Sequence, residues 1–187
     1  LGQRVHGQEA RDILKRADMN RGVCYLPGAG DGRLALELAR QSEMLIHVHD
    51  TKPAAIRELQ QQADKAGLPI QRLLAETGSI DRFPHATNTL DVVFANQSDI
   101  WQRFSPNEVL RALRPEGIAI LGGPRAKSLL EKWAKDLKGF ESWSDEFGDW
   151  IQFSKPVPEG IGEWSHWEKS PDNNPVSEDQ LIKAPYM

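Results

Sequence analysis

The stretch Leu26-Pro27-Gly28-Ala29-Gly30-Asp31-Gly32-Arg33-Leu34 (LPGAGDGRL) joins an apolar, β-prone run, GVCYL at 22–26, to a helix-like run, GRLALELAR at 32–40. Strand, glycine turn and helix in that order open an α/β unit. Three glycines at alternating positions ask what the turn is built to approach. A phosphate-cradling P-loop closes on Gly-Lys-Ser/Thr, and Gly32 is followed by Arg33-Leu34. A dinucleotide fingerprint is G-x-G-x-x-G, and counting from Gly28 its last position is Arg33. The spacing here is G-x-G-x-G, which fits neither.

Outward from the loop, the chain alternates. Residues 7–19 place Ala10, Ile13, Leu14 and Ala17 on one helical face. MLIHVHD (44–50) reads as a second strand ending on an acid, and 52–68 as a helix with Pro53 in its first turn. IQRLLAE (70–76) is a third strand and GSIDRFPHATNT (78–89) a loop. LDVVFAN (90–96) is a fourth strand, almost continuously apolar as a central parallel strand should be. Ser105-Pro106-Asn107-Glu108 has the form of a capping box, and its helix is expected to carry Val109, Leu110 and Leu113 and to break at Pro115-Glu116-Gly117. IAILGG (118–123) is a fifth strand, 127–137 a helix, and FESWSDEF and DWIQFSK two more strands joined at Gly148. The expected fold is α/β: a doubly wound, mostly parallel seven-stranded sheet, helices on both faces, closing on an antiparallel hairpin.

Of the 187 residues, 39% are hydrophobic and 27% charged, as in an ordinary globular domain. A net charge of −4 lacks the basic face of a dedicated nucleic-acid binder, so no nucleic-acid partner is expected. No run approaches the roughly 18 apolar residues of a membrane helix, so no membrane partner is expected either. The single cysteine, Cys24, reads as a small buried thiol. His47 and His49 share one strand face, but no second cluster of ligands accompanies them and no metal is expected. No secretory signal is legible, which gives a cytoplasmic expectation, while a start at Leu1 is what a processed or cut chain would show. Residues 157–187 hold prolines, Trp164 and Trp167 without apolar period. They read as an extended arm after a domain of residues 1–156, with one tryptophan docked on a surface.

The order and spacing of these pieces resemble the class I S-adenosyl-L-methionine (SAM)-dependent methyltransferases. GAGDGRLALELA is similar to their first motif, in which glycines let the backbone approach the methionine part of the cofactor. Asp50, 22 residues after Gly28, stands where similar enzymes hold both ribose hydroxyls. FPHATNTLDVVFAN (83–96) resembles the family's entry to its fourth strand, VLRALRPEGIAIL (109–121) its helix, Leu-Lys-Pro-Gly-Gly turn and fifth strand, and 137–156 its closing hairpin. The resemblance covers roughly residues 8–156. It implies SAM as cofactor, with Gly28, Ala29, Gly30, Gly32, Asp50, Thr51, Ser79, Ile80 and Asn96 around it.

The departures are specific. Leu26 stands where the family carries an acid, and Pro27 where it has a small residue. Gly78-Ser79-Ile80 replaces the usual Gly-Asp-Ala, leaving Ser79, or Asp81 two residues on, to meet the adenine amino group. The run Asn96-Gln97-Ser98-Asp99 lacks the Asn/Asp-Pro-Pro-Tyr signature of amino-group methylation. Asp99 reads as a solvated loop acid or N-cap, and His85 as a surface-loop residue. No catalytic residue is singled out. The implied activity is methyl transfer to a small-molecule or unidentified acceptor. The alternative is a catalytically degenerate, methyltransferase-like binding or scaffold module of a larger protein. A nicotinamide oxidoreductase is disfavoured by Arg33 and the closing hairpin. GEWSHWEKSPDNNPVSEDQLIKAP in the arm also resembles the lead-in to a quinoprotein-type β-propeller, which some bacterial proteins join to a methyltransferase-like domain.

Overall fold

The computed structural model describes residues 2–160, with side chains from His6 onward. By its own contacts the chain divides into units Leu1–Lys155 and Pro156–Met187, and every helix and strand below belongs to the first. The docking of Trp164 or Trp167 and the propeller lead-in fall outside the described residues.

The sheet is seven-stranded with the order β3-β2-β1-β4-β5-β7-β6. At its centre β1 (Val23–Pro27) pairs in parallel with β2 (Leu45–Asp50) and β4 (Leu90–Ala95). β3 (Leu73–Thr77) is parallel to β2, and β5 (Leu113–Gly123) to β4. β6 (Phe140–Asp145) and β7 (Gly148–Ser154) form the closing hairpin, with β7 antiparallel to β5. Strand order therefore reverses at β1, and the glycine loop leaves its carboxyl end, the place where open α/β sheets bind ligands.

Each face is covered by what the apolar periods supply. On one side α1 (Gly2–Ala17), α2 (Arg33–Gln41) and α3 (Pro53–Lys65) bury Ala10, Ile13, Leu38, Ile56 and Leu59 against Cys24, Ile46, Val48, Val92 and Phe94. On the other, α4 (Ser98–Trp101), α5 (Pro106–Ala112), α6 (Lys127–Trp133) and the 78–89 loop pack Trp101, Val109, Leu130 and Phe83 on Tyr25, Val93, Ala119 and Leu121. Trp101 is fully buried and its Nε1 donates to Gly122 O at 2.8 Å, anchoring α4 across the carboxyl end of β5. Burial pushes the Cys24 thiol up to about 12, with Asp91 adding to the shift, so it stays protonated and inert. Among the described residues no helix is long and apolar enough to cross a membrane.

Several boundaries differ from the sequence expectation, α1 running Gly2–Ala17 and α6 stopping at Trp133 among them, and three have a tertiary reason. α5 ends at Ala112, not at Pro115, because Leu113 turns extended (φ −61°, ψ 138°) to pair with Leu90. β5 then bulges through Arg114–Gly117, where Glu116 takes φ +64° and its N–H donates to Lys155 O at 2.8 Å. β3 starts at Leu73 rather than Ile70, because Pro69 O accepts from Arg72 N at 2.8 Å in a turn and leaves Ile70 64% exposed. The capping box is half formed: Ser105 Oγ accepts from Glu108 N at 3.2 Å, while the Glu108 carboxylate accepts from Phe83 N at 2.7 Å instead of reaching back.

Candidate cofactor site

β1 ends on Pro27, whose missing N–H costs nothing at the last ladder position, and Gly28 N donates to His49 O at 2.7 Å. Gly28, Gly30 and Gly32 all take positive φ (91°, 56° and 77°), a conformation that costs an L-residue about 1–2 kcal/mol. Close approach adds to this, and it comes from the protein. A Cβ on Gly28 would lie 3.2 Å from Ile100 Cγ1, one on Gly30 3.3 Å from Gln97 Nε2, and one on Gly32 2.9 Å from Leu59 Cδ1.

Asp50 secures the loop. It is 7% exposed, Oδ2 accepts from Ala29 N at 2.8 Å, and Oδ1 accepts from Lys52 N at 2.8 Å. One carboxylate thus joins the glycine loop to the start of α3, and each oxygen keeps a second lone pair for a hydroxyl donor. Gly28 N, Ala29 N, Gly32 N and Arg33 N all have acceptors. Among the described residues none accepts from Gly30 N or Asp31 N, so two adjacent N–H groups remain for an anionic group.

Over this loop lies a cavity of about 230 Å³ whose walls are His6 of α1, Leu26 to Asp31, Leu34, Ala35 and Phe94 to Gln97. It brings together Gly28, Ala29, Gly30 and Asn96 of the residues the sequence singled out. Gly32, Asp50, Thr51, Ser79 and Ile80 are not in its walls. Thr51 is exposed, and Ile80 is fully buried. Ser79 Oγ donates to Asp81 Oδ2 at 2.7 Å, and Asp81 accepts from Arg103 Nε and Nη2 at 2.9 and 3.0 Å. The Arg103 and Ser79 hydrogen bonds hold the Asp81 carboxyl below its usual range. Asp99 is exposed in the first turn of α4.

Two features escaped sequence reasoning. The first is the contribution of α1. Glu9, 7% exposed, accepts from Asn96 Nδ2 at 2.9 Å with Oε1, and its Oε2 lies 3.3 Å from His6 Nδ1. His6 Nε2 is 3.4 Å from Asp31 Oδ2. No local pattern marks Glu9, because its partner is 87 residues away.

The second is a histidine cluster. His85 is not a free surface residue: its Nε2 is 2.8 Å from His47 Nδ1, and its ring meets Tyr25 edge-on at 4.6 Å. His47 Nε2 is 3.2 Å from Glu76 Oε2 but is misaligned for a hydrogen bond. Among the described residues, Tyr25 Oη, His47 Nε2, His49 Nδ1 and His85 Nδ1 are buried without hydrogen-bond partners. Burial, then the neighbouring His47, His49 and Arg111, lowers His85 to about 4, and burial also lowers His47. Among the described residues no three groups converge as metal ligands.

The strand order, the antiparallel last strand and a glycine loop tied to the acid ending the next strand define the class I methyltransferase fold. Residues 27–117 match the family model described as a methyltransferase domain, on a chain that has the class I methyltransferase fold. Solved structures agree in fold. A protein assigned as an S-adenosyl-L-methionine-dependent methyltransferase from Methanococcus maripaludis superposes with a TM-score of 0.68 at 20% identity, over 84% of this chain and 88% of its own. A SAM-dependent O-methyltransferase from Thermotoga maritima gives 0.67 at 17% identity, over 81% of this chain and 66% of its own. A [4+2]-cyclase gives 0.59 at 20% identity, over 74% and 59%. No curated protein matches the sequence at a significant level.

Proposed function

We propose that the chain binds SAM along the carboxyl edge of β1, β2 and β4 and transfers its methyl group to a small-molecule acceptor. The observation that carries this reading is the glycine loop tied by Asp50 beneath a cavity with a few polar side chains at the topological switch point. The residues fit the cofactor in kind. Gly30 N and Asp31 N suit a carboxylate, and the spare lone pairs of Asp50 suit ribose hydroxyls. When bound, the cofactor supplies a methyl carbon on a sulfonium sulfur, ready for in-line displacement. The protein's share is orientation and exclusion of water, which asks for no dedicated nucleophile. The 230 Å³ cavity is smaller than the roughly 300 Å³ and upward typical of small-molecule sites, and Ile100 and Gln97 lie against Gly28 and Gly30. Binding the whole cofactor therefore requires these two side chains to swing aside.

A second reading, a binding or scaffold module without catalysis, draws support from the same contacts. Both Asp50 oxygens are engaged, and Ser79 Oγ is turned to Asp81. The likeness in fold to a [4+2]-cyclase also shows that this fold does not by itself fix the reaction. Incubation with methyl-labelled SAM and a small-molecule fraction of cell extract separates the two. Label in a low-mass product supports transfer to a small molecule. Label confined to protein or nucleic acid contradicts the acceptor class, and no label anywhere with intact SAM binding favours the scaffold.

A further inference from the structure

Glu9 is a carboxylate nine-tenths buried on α1, a helix the glycine loop does not belong to. Its two oxygens are both spoken for. Oε1 meets Asn96 Nδ2 at 2.9 Å, and Oε2 faces His6 Nδ1 at 3.3 Å. An ionised carboxylate only accepts hydrogen bonds, so the Asn96 amide has a single workable orientation there. Nδ2 must point to Glu9, and the amide oxygen must point the other way. Asn96 directly follows β4 and lines the 230 Å³ cavity, which makes that oxygen available as an acceptor at the cavity wall. Asp31 lines the same cavity and adds a second acceptor, tied back to the Glu9 group through His6 at 3.4 Å. Leu26, a wall position near the end of β1, is apolar and offers nothing polar through its side chain. The cavity thus has side-chain acceptors on Asn96 and Asp31, with the Gln97 amide and the His6 ring in the same walls, and beside them the free N–H groups of Gly30 and Asp31. Acceptors beside backbone donors complement a zwitterion, with the ammonium on the carboxylate and amide oxygens and the carboxylate on the N–H pair.

We propose that Glu9 is a positioning residue that locks Asn96 so that its amide oxygen, with the Asp31 carboxylate, receives the α-ammonium of the cofactor's amino-acid end. The inference rests on the reading of this cavity as part of a SAM site. Glu9 touches no ligand in this account and acts through Asn96.

Isothermal titration of the 187-residue chain with two probes tests it. S-adenosylhomocysteine carries the amino-acid end, and 5′-methylthioadenosine has the same thioether nucleoside without it. In Glu9→Gln the side chain can donate as well as accept, so Asn96 is free to turn. The variant should bind S-adenosylhomocysteine about tenfold more weakly, the scale of one hydrogen bond to a charged group. Its affinity for 5′-methylthioadenosine should be unchanged. Asn96→Ala, which removes the amide itself and keeps every α1 residue, should show the same selective loss and serves if Glu9→Gln does not fold. An equal loss for both probes would mark Glu9 as merely structural and overturn the proposal, as would an unchanged ratio in either variant. If neither probe binds the unaltered chain, the reading of the cavity fails along with the role of Glu9.

Discussion

The two faces of the sheet treat the strands β1 and β2 differently. On the face of α1 to α3, the glycine loop and Asp50 form a network in which the buried carboxylate has both oxygens satisfied by backbone N–H groups. On the opposite face no helix among the described residues covers β2, and Phe83 and His85 of the loop 78–89 lie against Tyr25 and His47 instead. There, four buried polar atoms have no partner among the described residues. Satisfied polar groups fix one geometry, whereas unsatisfied ones hold stability hostage to protonation or hydration. The first region fixes one geometry at the carboxyl edge of the sheet, and the second makes the fold sensitive to pH.

The largest expected effect comes from the packing on which both faces depend. Trp101→Ala removes a fully buried indole and leaves Gly122 O without its donor, and should cost about 3–5 kcal/mol in urea unfolding. Leu38→Ala on the other face, also fully buried, should cost about 2–5 kcal/mol, so a much smaller loss there would break the picture of two equally dense cores.

Asp50→Ala sharpens the contrast between the two polar networks. It strands two backbone N–H groups, one of them inside the glycine loop, and should cost about 2–5 kcal/mol and abolish S-adenosylhomocysteine binding in titration. Full binding by a folded Asp50→Ala chain would remove Asp50 from the site.

The histidine cluster predicts the pH response. The folded-state values of His85 and His47 are lowered, so between the ordinary histidine value near 6.5 and about 4 the unfolded chain binds more protons. Stability should therefore be complete above 6.5 and fall as pH drops toward 4, read as a declining melting temperature. His85→Gln should flatten that decline, whereas a decline of unchanged steepness would place the sensitivity elsewhere.

The smallest effect should come from Arg103→Ala. It breaks a well-formed ion pair with Asp81, but both groups are solvent-exposed, and such pairs contribute little. The melting temperature should stay within error.

Much of this architecture was legible because local signals and tertiary needs agree. The G-x-G-x-G spacing, an acid at position 50 and the alternation of apolar runs led to the doubly wound, mostly parallel seven-stranded sheet and its closing hairpin. Boundaries slipped where a long-range pairing overrode a local cue, as when Leu113 left the helix to pair with Leu90. The site was legible on its glycine side and illegible on its α1 side. His6 and Glu9 are ordinary polar residues in a helix whose apolar face dominates the signal, and only the folded chain brings Glu9 to Asn96. His85 was misjudged for a related reason, since nothing in a proline-flanked loop announces that it folds back onto His47.

The central claim is that SAM chemistry sits on the loop from Gly28 to Gly32. Titration of the unaltered chain and of Gly30→Val with S-adenosylhomocysteine tests it most directly, because a branched side chain at φ 56° and 3.3 Å from Gln97 must deform the loop. The account predicts saturable one-to-one binding to the unaltered chain and none to the variant. Absence of heat with the unaltered chain at high micromolar ligand, or equal binding by a folded Gly30→Val chain, would contradict it.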